Sequence, residues 1–171
     1  QPDNLHGERI VRQAVMEVPG KIRFDEVVAT PPGPGEVRIR VRQIGICGSD
    51  IHVWHGTHPF TPYPVIQGHE FMGVVEAIGP GVADAPPLGA KVTTLPQIVC
   101  GKCNPCRKGR FNSGENLRVR GFQADGCGRE LYNVPAERLV VLPDGFSADQ
   151  GAFVEPVSVA VHACTRAGDL S

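Results

Sequence analysis

Glu36-Val-Arg-Ile-Arg-Val-Arg-Gln43 alternates apolar and polar residues without a break. A two-residue period places Val37, Ile39 and Val41 on one face of a β-strand and the arginines on the other, read here as a solvated face. The same reading extends outward to strands at Arg12–Glu17, Ile22–Val28, Val37–Ile46, Phe71–Ile78, Lys91–Leu95 and Leu131–Pro135. Between them stand turn signals, including Val18-Pro-Gly20, Thr30-Pro-Pro-Gly-Pro-Gly35 and Gly79-Pro-Gly81. The chain of 171 residues holds 21 glycines and 16 prolines, scattered rather than gathered, so they punctuate short strands instead of marking a disordered block. An all-β barrel or sandwich follows.

Only the end of the chain reads as helical. Ser147-Ala-Asp-Gln150 has the spacing of a capping box, and Pro156 is tolerable in a first helical turn. Val157, Val161 and Cys164 then recur at helical spacing, which predicts that Cys164 is a core residue. Residues 1–10 are read as an extension outside the fold.

Composition bounds the function. Formal net charge is −1, which argues against a nucleic-acid or membrane surface. No apolar run approaches the roughly 20 residues of a spanning helix, and no signal pattern opens the chain, so a cytoplasmic location is expected. Six cysteines with three clustered suit metal chemistry in a reducing compartment better than a disulfide framework.

The cluster is Cys100-Gly-Lys-Cys103-Asn-Pro-Cys106. Its spacing converges three thiolates on one point, the pattern of a structural zinc loop, yet zinc in a closed site takes four ligands. Elsewhere, Cys47-Gly-Ser-Asp50 and Gly68-His69-Glu70 offer a thiolate, an imidazole and a carboxylate. A catalytic zinc needs three such ligands and one open position, and this set brings the ion close to neutral, which preserves its Lewis acidity.

Taken together, these motifs resemble the GroES-like catalytic domain of the zinc-dependent medium-chain alcohol dehydrogenases, within them the sorbitol-type and threonine dehydrogenase branch. The resemblance rests on Gly45-Ile-Cys-Gly-Ser-Asp-Ile-His52, on Gly68-His-Glu-Phe-Met-Gly-Val-Val-Glu-Ala-Ile-Gly-Pro-Gly-Val82 and on the cysteine cluster. It continues through Asp125-Gly-Cys-Gly-Arg-Glu-Leu-Tyr-Asn-Val-Pro135 and Val154-Glu-Pro-Val-Ser-Val-Ala-Val-His-Ala163. It implies a mainly β fold with few helices, a partly open GroES-like barrel over 11–171, with a structural-zinc lobe at about 96–120.

The resemblance also implies roles. Cys47, His69 and Glu70 would hold catalytic zinc, with Glu155 as an alternate or water-bridged ligand. Asp50 would orient His69, and Ser49 with His52 would relay a proton to solvent. His55 and His58, in a loop with Trp54, Phe60 and Tyr63, would lie near the substrate cleft. The fourth cysteine of the structural zinc belongs eight positions after Cys106, where this chain has Gly114. That leaves zinc on Cys100, Cys103 and Cys106 with water or Glu115, an empty loop, or a disulfide; a weakened or vacant site is favoured.

The implied reaction oxidises a secondary alcohol or polyol to a ketone, with hydride transfer to NAD(P)+. No Gly-x-Gly-x-x-Gly string is present, since Gly33-Pro-Gly35 and Gly79-Pro-Gly81 lack the third glycine. NAD(P) is therefore expected only with a Rossmann domain that these residues do not contain, and the isolated chain is expected to be nearly inactive. A homo-oligomer is expected at full length. The alternative from another class is a stand-alone, non-catalytic zinc-binding module. A co-chaperonin would share the barrel but has no reason to carry these ligands.

Overall fold

The computed structural model describes residues 9–168. In chain order the elements are β1 (Ile10–Val18), β2 (Lys21–Val28), β3 (Glu36–Ile44), α1 (Gly48–Trp54), β4 (Phe71–Ile78), β5 (Lys91–Thr94) and β6 (Gln97–Ile98). They continue with α2 (Asn104–Arg107), β7 (Arg118–Val119), β8 (Leu131–Pro135), β9 (Leu139–Val141), α3 (Ala148–Ala152) and α4 (Val154–Ala167). The expected mainly β fold with few helices is what forms.

Two compact units divide the chain. The first takes residues up to Thr30, then Ile46–His69 and Pro96–Leu131. Its β1–β2 hairpin is antiparallel, and β6 pairs with β7. A core of Met16, Val53, Val65 and Phe122 holds it, with Tyr63 and Val119 packed alongside. The Tyr63 hydroxyl donates to the Val53 carbonyl, so the half-buried ring packs with its polar tip satisfied.

The second unit takes Pro31–Gly45, Glu70–Leu95 and the residues from Tyr132 on. Its sheet runs β8-β3-β4-β5-β9 and is open, with β8 and β9 at its two ends. Val37 and Ile39 are fully buried, as their alternation requires. Arg40 pairs with Glu76 on the neighbouring strand, so the arginine face is partly screened by ion pairing rather than wholly solvated. The short helix α3 lies on β3, β4 and β5, and a Cβ at its Gly151 would stand 2.8 Å from the Met72 Cβ. Only glycine permits that approach.

Several expectations need correction. Ile10 already belongs to β1, and the Arg9 carbonyl accepts from the Ala29 amide; the rest of the 1–10 extension, with His6, lies outside the described residues. Helices α1 and α2 went unforeseen, because each is too short for a 3.6-residue period to register. Strands β6, β7 and β9, of two or three residues, were missed for the same reason. The capping box is real: Ser147 N donates to Gln150 Oε1 at 2.9 Å and Gln150 N to Ser147 Oγ at 3.2 Å. Cys164, however, is exposed, as are Val157 and Val161, so the helical stripe on α4 is not a core stripe here.

Candidate metal centre

Antiparallel pairing of β3 with β4 builds the first site. Ile44 faces Phe71, and the ladder runs one step further, with Gly45 N donating to the Glu70 carbonyl at 2.7 Å. The exit of one strand thus lies beside the entry of the other, and Cys47 follows just after the exit while His69 and Glu70 just precede the entry. Their ligand atoms lie within 4.8 Å of one another. His69 and Glu70 are buried and Cys47 half-buried. A Cβ on Gly45 would stand 2.6 Å from Glu70 Oε2 and 3.0 Å from Glu70 Cβ, so the carboxylate occupies space that any larger residue would claim.

Cys47 is also the N-cap of α1. Asp50 Oδ2 accepts from Cys47 N at 2.9 Å, closing the reciprocal bond of a capping box and fixing where the thiol stands. Gln67 Nε2 holds the same carboxylate at Oδ1, 3.2 Å away, and also donates to the Asp50 carbonyl. Asp50 therefore acts first on Cys47. Its expected bond to His69 is not formed: Oδ2 stands 4.0 Å from His69 Nδ1, beyond hydrogen-bond reach. That buried Nδ1 has no hydrogen-bond partner. An imidazole, a thiol and a carboxylate converged around an orphaned buried nitrogen fit a divalent ion with mixed N, O and S ligands, as zinc is.

Ser49 and His52 both stand on α1, one turn apart, the serine half-buried and the histidine exposed. His52 Nδ1 lies 3.4 Å from Thr57 Oγ1. Glu155 is half-buried in the first turn of α4 and is not part of the converged triad.

An aromatic column adjoins His69. The Phe122 ring lies 4.9 Å from that of His69, and His58 stacks on Phe122 at 4.8 Å with 14° between planes. His58, Phe60, Leu117, Val119, Phe122 and Gln123 line an open cavity of about 680 Å³. Of the loop residues that the resemblance placed near a substrate cleft, His58 and Phe60 line this cavity. Tyr63 packs in the core instead, and Trp54 and His55 are exposed. Phe122 was missed; its aromatic ring in the loop Gly121-Phe-Gln-Ala-Asp-Gly126 was the available signal.

The second cluster is local. Cys100, Cys103 and Cys106 bring their sulfurs within 4.8 Å, and Cys100 and Cys106 stand 3.9 Å apart as free thiols. No carboxylate or imidazole joins the cluster among the described residues, so Glu115 is not a fourth ligand in this arrangement. Backbone N–H groups of Cys103 and Lys102 hold the Cys100 thiol down to about 7, from an ordinary 9.0. The hydrogen bond with Cys103, with burial, pushes Cys106 up.

Comparison with known proteins follows the same lines. Residues 33–144 match the family model described as the alcohol dehydrogenase GroES-like domain. A zinc-type alcohol dehydrogenase-like protein of Haemophilus influenzae is 37% identical over 156 residues, covering 91% of this chain and 46% of that protein. Human sorbitol dehydrogenase is 34% identical, covering 98% of this chain and 46% of its own length. A crystal structure of an E. coli CFT073 alcohol dehydrogenase complexed with NADH superposes with a TM-score of 0.81 at 36% identity, covering 89% of this chain and 44% of that one. This chain spans less than half the length of these relatives.

Proposed function

Because the chain belongs to the alcohol dehydrogenase GroES-like domain family, within the zinc-dependent medium-chain superfamily, we propose that it is the metal-holding catalytic part of an alcohol or polyol dehydrogenase. The reaction is oxidation of a secondary alcohol to a ketone, with NAD(P)+ as hydride acceptor bound by sequence outside these residues. The convergence of Cys47, His69 and Glu70 within 4.8 Å carries this reading.

Cys47, His69 and Glu70 would hold zinc, and the chemistry that zinc supplies when bound is Lewis acidity toward an alcohol or carbonyl oxygen. Thiolate and carboxylate together balance the dication, leaving that acidity unquenched. Asp50, fastened by Gln67, keeps the Cys47 amide and thiol in place. Ser49 Oγ accepts the alcohol proton and passes it to His52, whose exposure opens the route to water. Glu155 serves as an alternate or water-bridged ligand. The cavity beside Phe122 takes the carbon chain of the substrate, with His58 and Gln123 offering polar partners to its hydroxyls.

Cobalt substitution tests the reading on this chain directly. A Co(II)-loaded chain should show the visible d–d bands of a thiolate-bearing tetrahedral site, and a polyol such as sorbitol should shift them. Bands that survive Cys47→Ser, or that no alcohol perturbs, would sink the proposal. The coding sequence after Ser171 is the second test: a strand leading into Gly-x-Gly-x-x-Gly supports the dehydrogenase, whereas a stop codon supports a non-catalytic module.

A further inference from the structure

We propose that Cys100, Cys103 and Cys106 form a three-thiolate site for a soft monovalent cation of trigonal preference, Cu(I), rather than a closed zinc site. The donor set is the first ground. Three sulfurs lie within 4.8 Å of one another and no fourth Cys, His, Asp or Glu joins them among the described residues. Zinc in structural sites wants four ligands in a tetrahedron, and sulfur-only donors select soft ions such as Cu(I).

The fourth position is the second ground. A Cβ on Gly114 would stand 3.3 Å from Cys106 Sγ, so a side chain there would reach the cluster. Gly114 has φ −62° and ψ 135°, a conformation open to any residue. Backbone geometry therefore does not demand glycine, and its effect is to leave the site with three donors.

Charge and access complete the case. Three thiolates around a monovalent cation leave two surplus negative charges, more than zinc would leave. The exposed Lys102, Arg107, Lys108 and Arg110 crowd the same short loop and offset them. Cys103 and Cys106 are buried, which keeps out water as an extra ligand, while half-exposed Cys100 gives the ion its way in. Loading displaces whatever protons the thiols still carry and changes no oxidation state.

The test is an anaerobic titration of the reduced, metal-free full chain with Cu(I) against bicinchoninate, and in parallel with Zn2+ against 4-(2-pyridylazo)resorcinol. Expected is about one Cu(I) per chain held against the chelator, with Cys100→Ser, Cys103→Ser or Cys106→Ser each weakening it by about 100-fold or more. Cys47→Ser should leave that Cu(I) in place. Gly114→Cys should raise zinc retention by about 100-fold and erase the preference for copper. If Cys103→Ser disturbs the far-ultraviolet circular dichroism, Cys100→Ser, at the half-exposed position, carries the test. Cu(I) that survives loss of a knuckle cysteine, or disappears with Cys47→Ser, overturns the proposal. So does zinc retention in the unaltered chain equal to that of Gly114→Cys.

Discussion

The centre at Cys47, His69 and Glu70 and the cluster at Cys100, Cys103 and Cys106 each gather three side chains able to bind a metal, but different parts of the backbone gather them. The first depends on strand pairing, with Ile44 opposite Phe71 and Gly45 bonded to Glu70 across 25 positions of sequence. The second needs only the tight turns of seven consecutive residues around α2. One centre has mixed donors and a buried nitrogen without a partner; the other has sulfur alone and a glycine where a fourth ligand would stand. The lesson is that a long-range ladder can set unlike ligands into one place, while a local loop collects like ones and is undone by a single substitution.

The largest effect should come from Cys47→Ser. Zinc content of the chain, measured by plasma emission after exhaustive dialysis, should fall from about one per chain to nearly none, since a three-ligand site does not survive loss of its thiolate. Full zinc retention would show that the two centres had been assigned the wrong way round. Next is Gly114→Cys, which should add about one zinc per chain and raise the thermal midpoint of the lobe. No gain would show that the loop is shaped to do without a tetrahedral ion.

Gly45→Ala should act on the first centre alone. Its new methyl meets Glu70 at the carboxylate and at Cβ, so zinc affinity should drop by about 10- to 100-fold while thiol titration of the cysteine cluster stays unchanged. Equal zinc affinity in the two proteins would mean that Glu70 is free to move aside.

A smaller, pH-dependent effect separates the thiols. In the metal-free chain, alkylation of Cys100 should be half-maximal near pH 7, well below the ordinary thiol value of 9.0. The sign follows from the depressed value: the thiolate's contribution to stability is present above the ordinary 9.0 and is lost as pH falls through about 7. A midpoint for Cys100 near 9.0 would remove the backbone N–H groups of Cys103 and Lys102 as the cause. Smallest is Asp50→Ala, which removes the cap on α1 and should cost about 1 kcal/mol in chemical denaturation. That loss should come with weaker zinc binding at Cys47 and no change at Cys100.

Much of this was legible because the chemistry is written in residue types. Val37 and Ile39 alternate with arginines and are buried, while Ser147 and Gln150 cap α3 in the reciprocal way their spacing announces. Cys47, His69 and Glu70 were named from sequence and converge in space. Cys164 shows where periodicity fails: a helical stripe says which residues share a face, and only a neighbouring element can bury that face. Helices α1 and α2, at seven and four residues, are held by their caps and surroundings rather than by a repeating pattern.

By itself the sequence determined the strand faces and the metal-binding residue types gathered at both centres, since those depend on side-chain chemistry and on contacts within a few residues; the place of a fourth cysteine, held by Gly114, came from the family resemblance. Tertiary structure alone decided that Asp50 fastens Cys47 rather than bonding His69, that Phe122 stands between His69 and His58, and that Gly114 faces Cys106. Each of these depends on segments that are distant in the chain, or on the exact path of a loop. Hydrogen-bond register and close packing fix such distances, and no residue's identity encodes them alone.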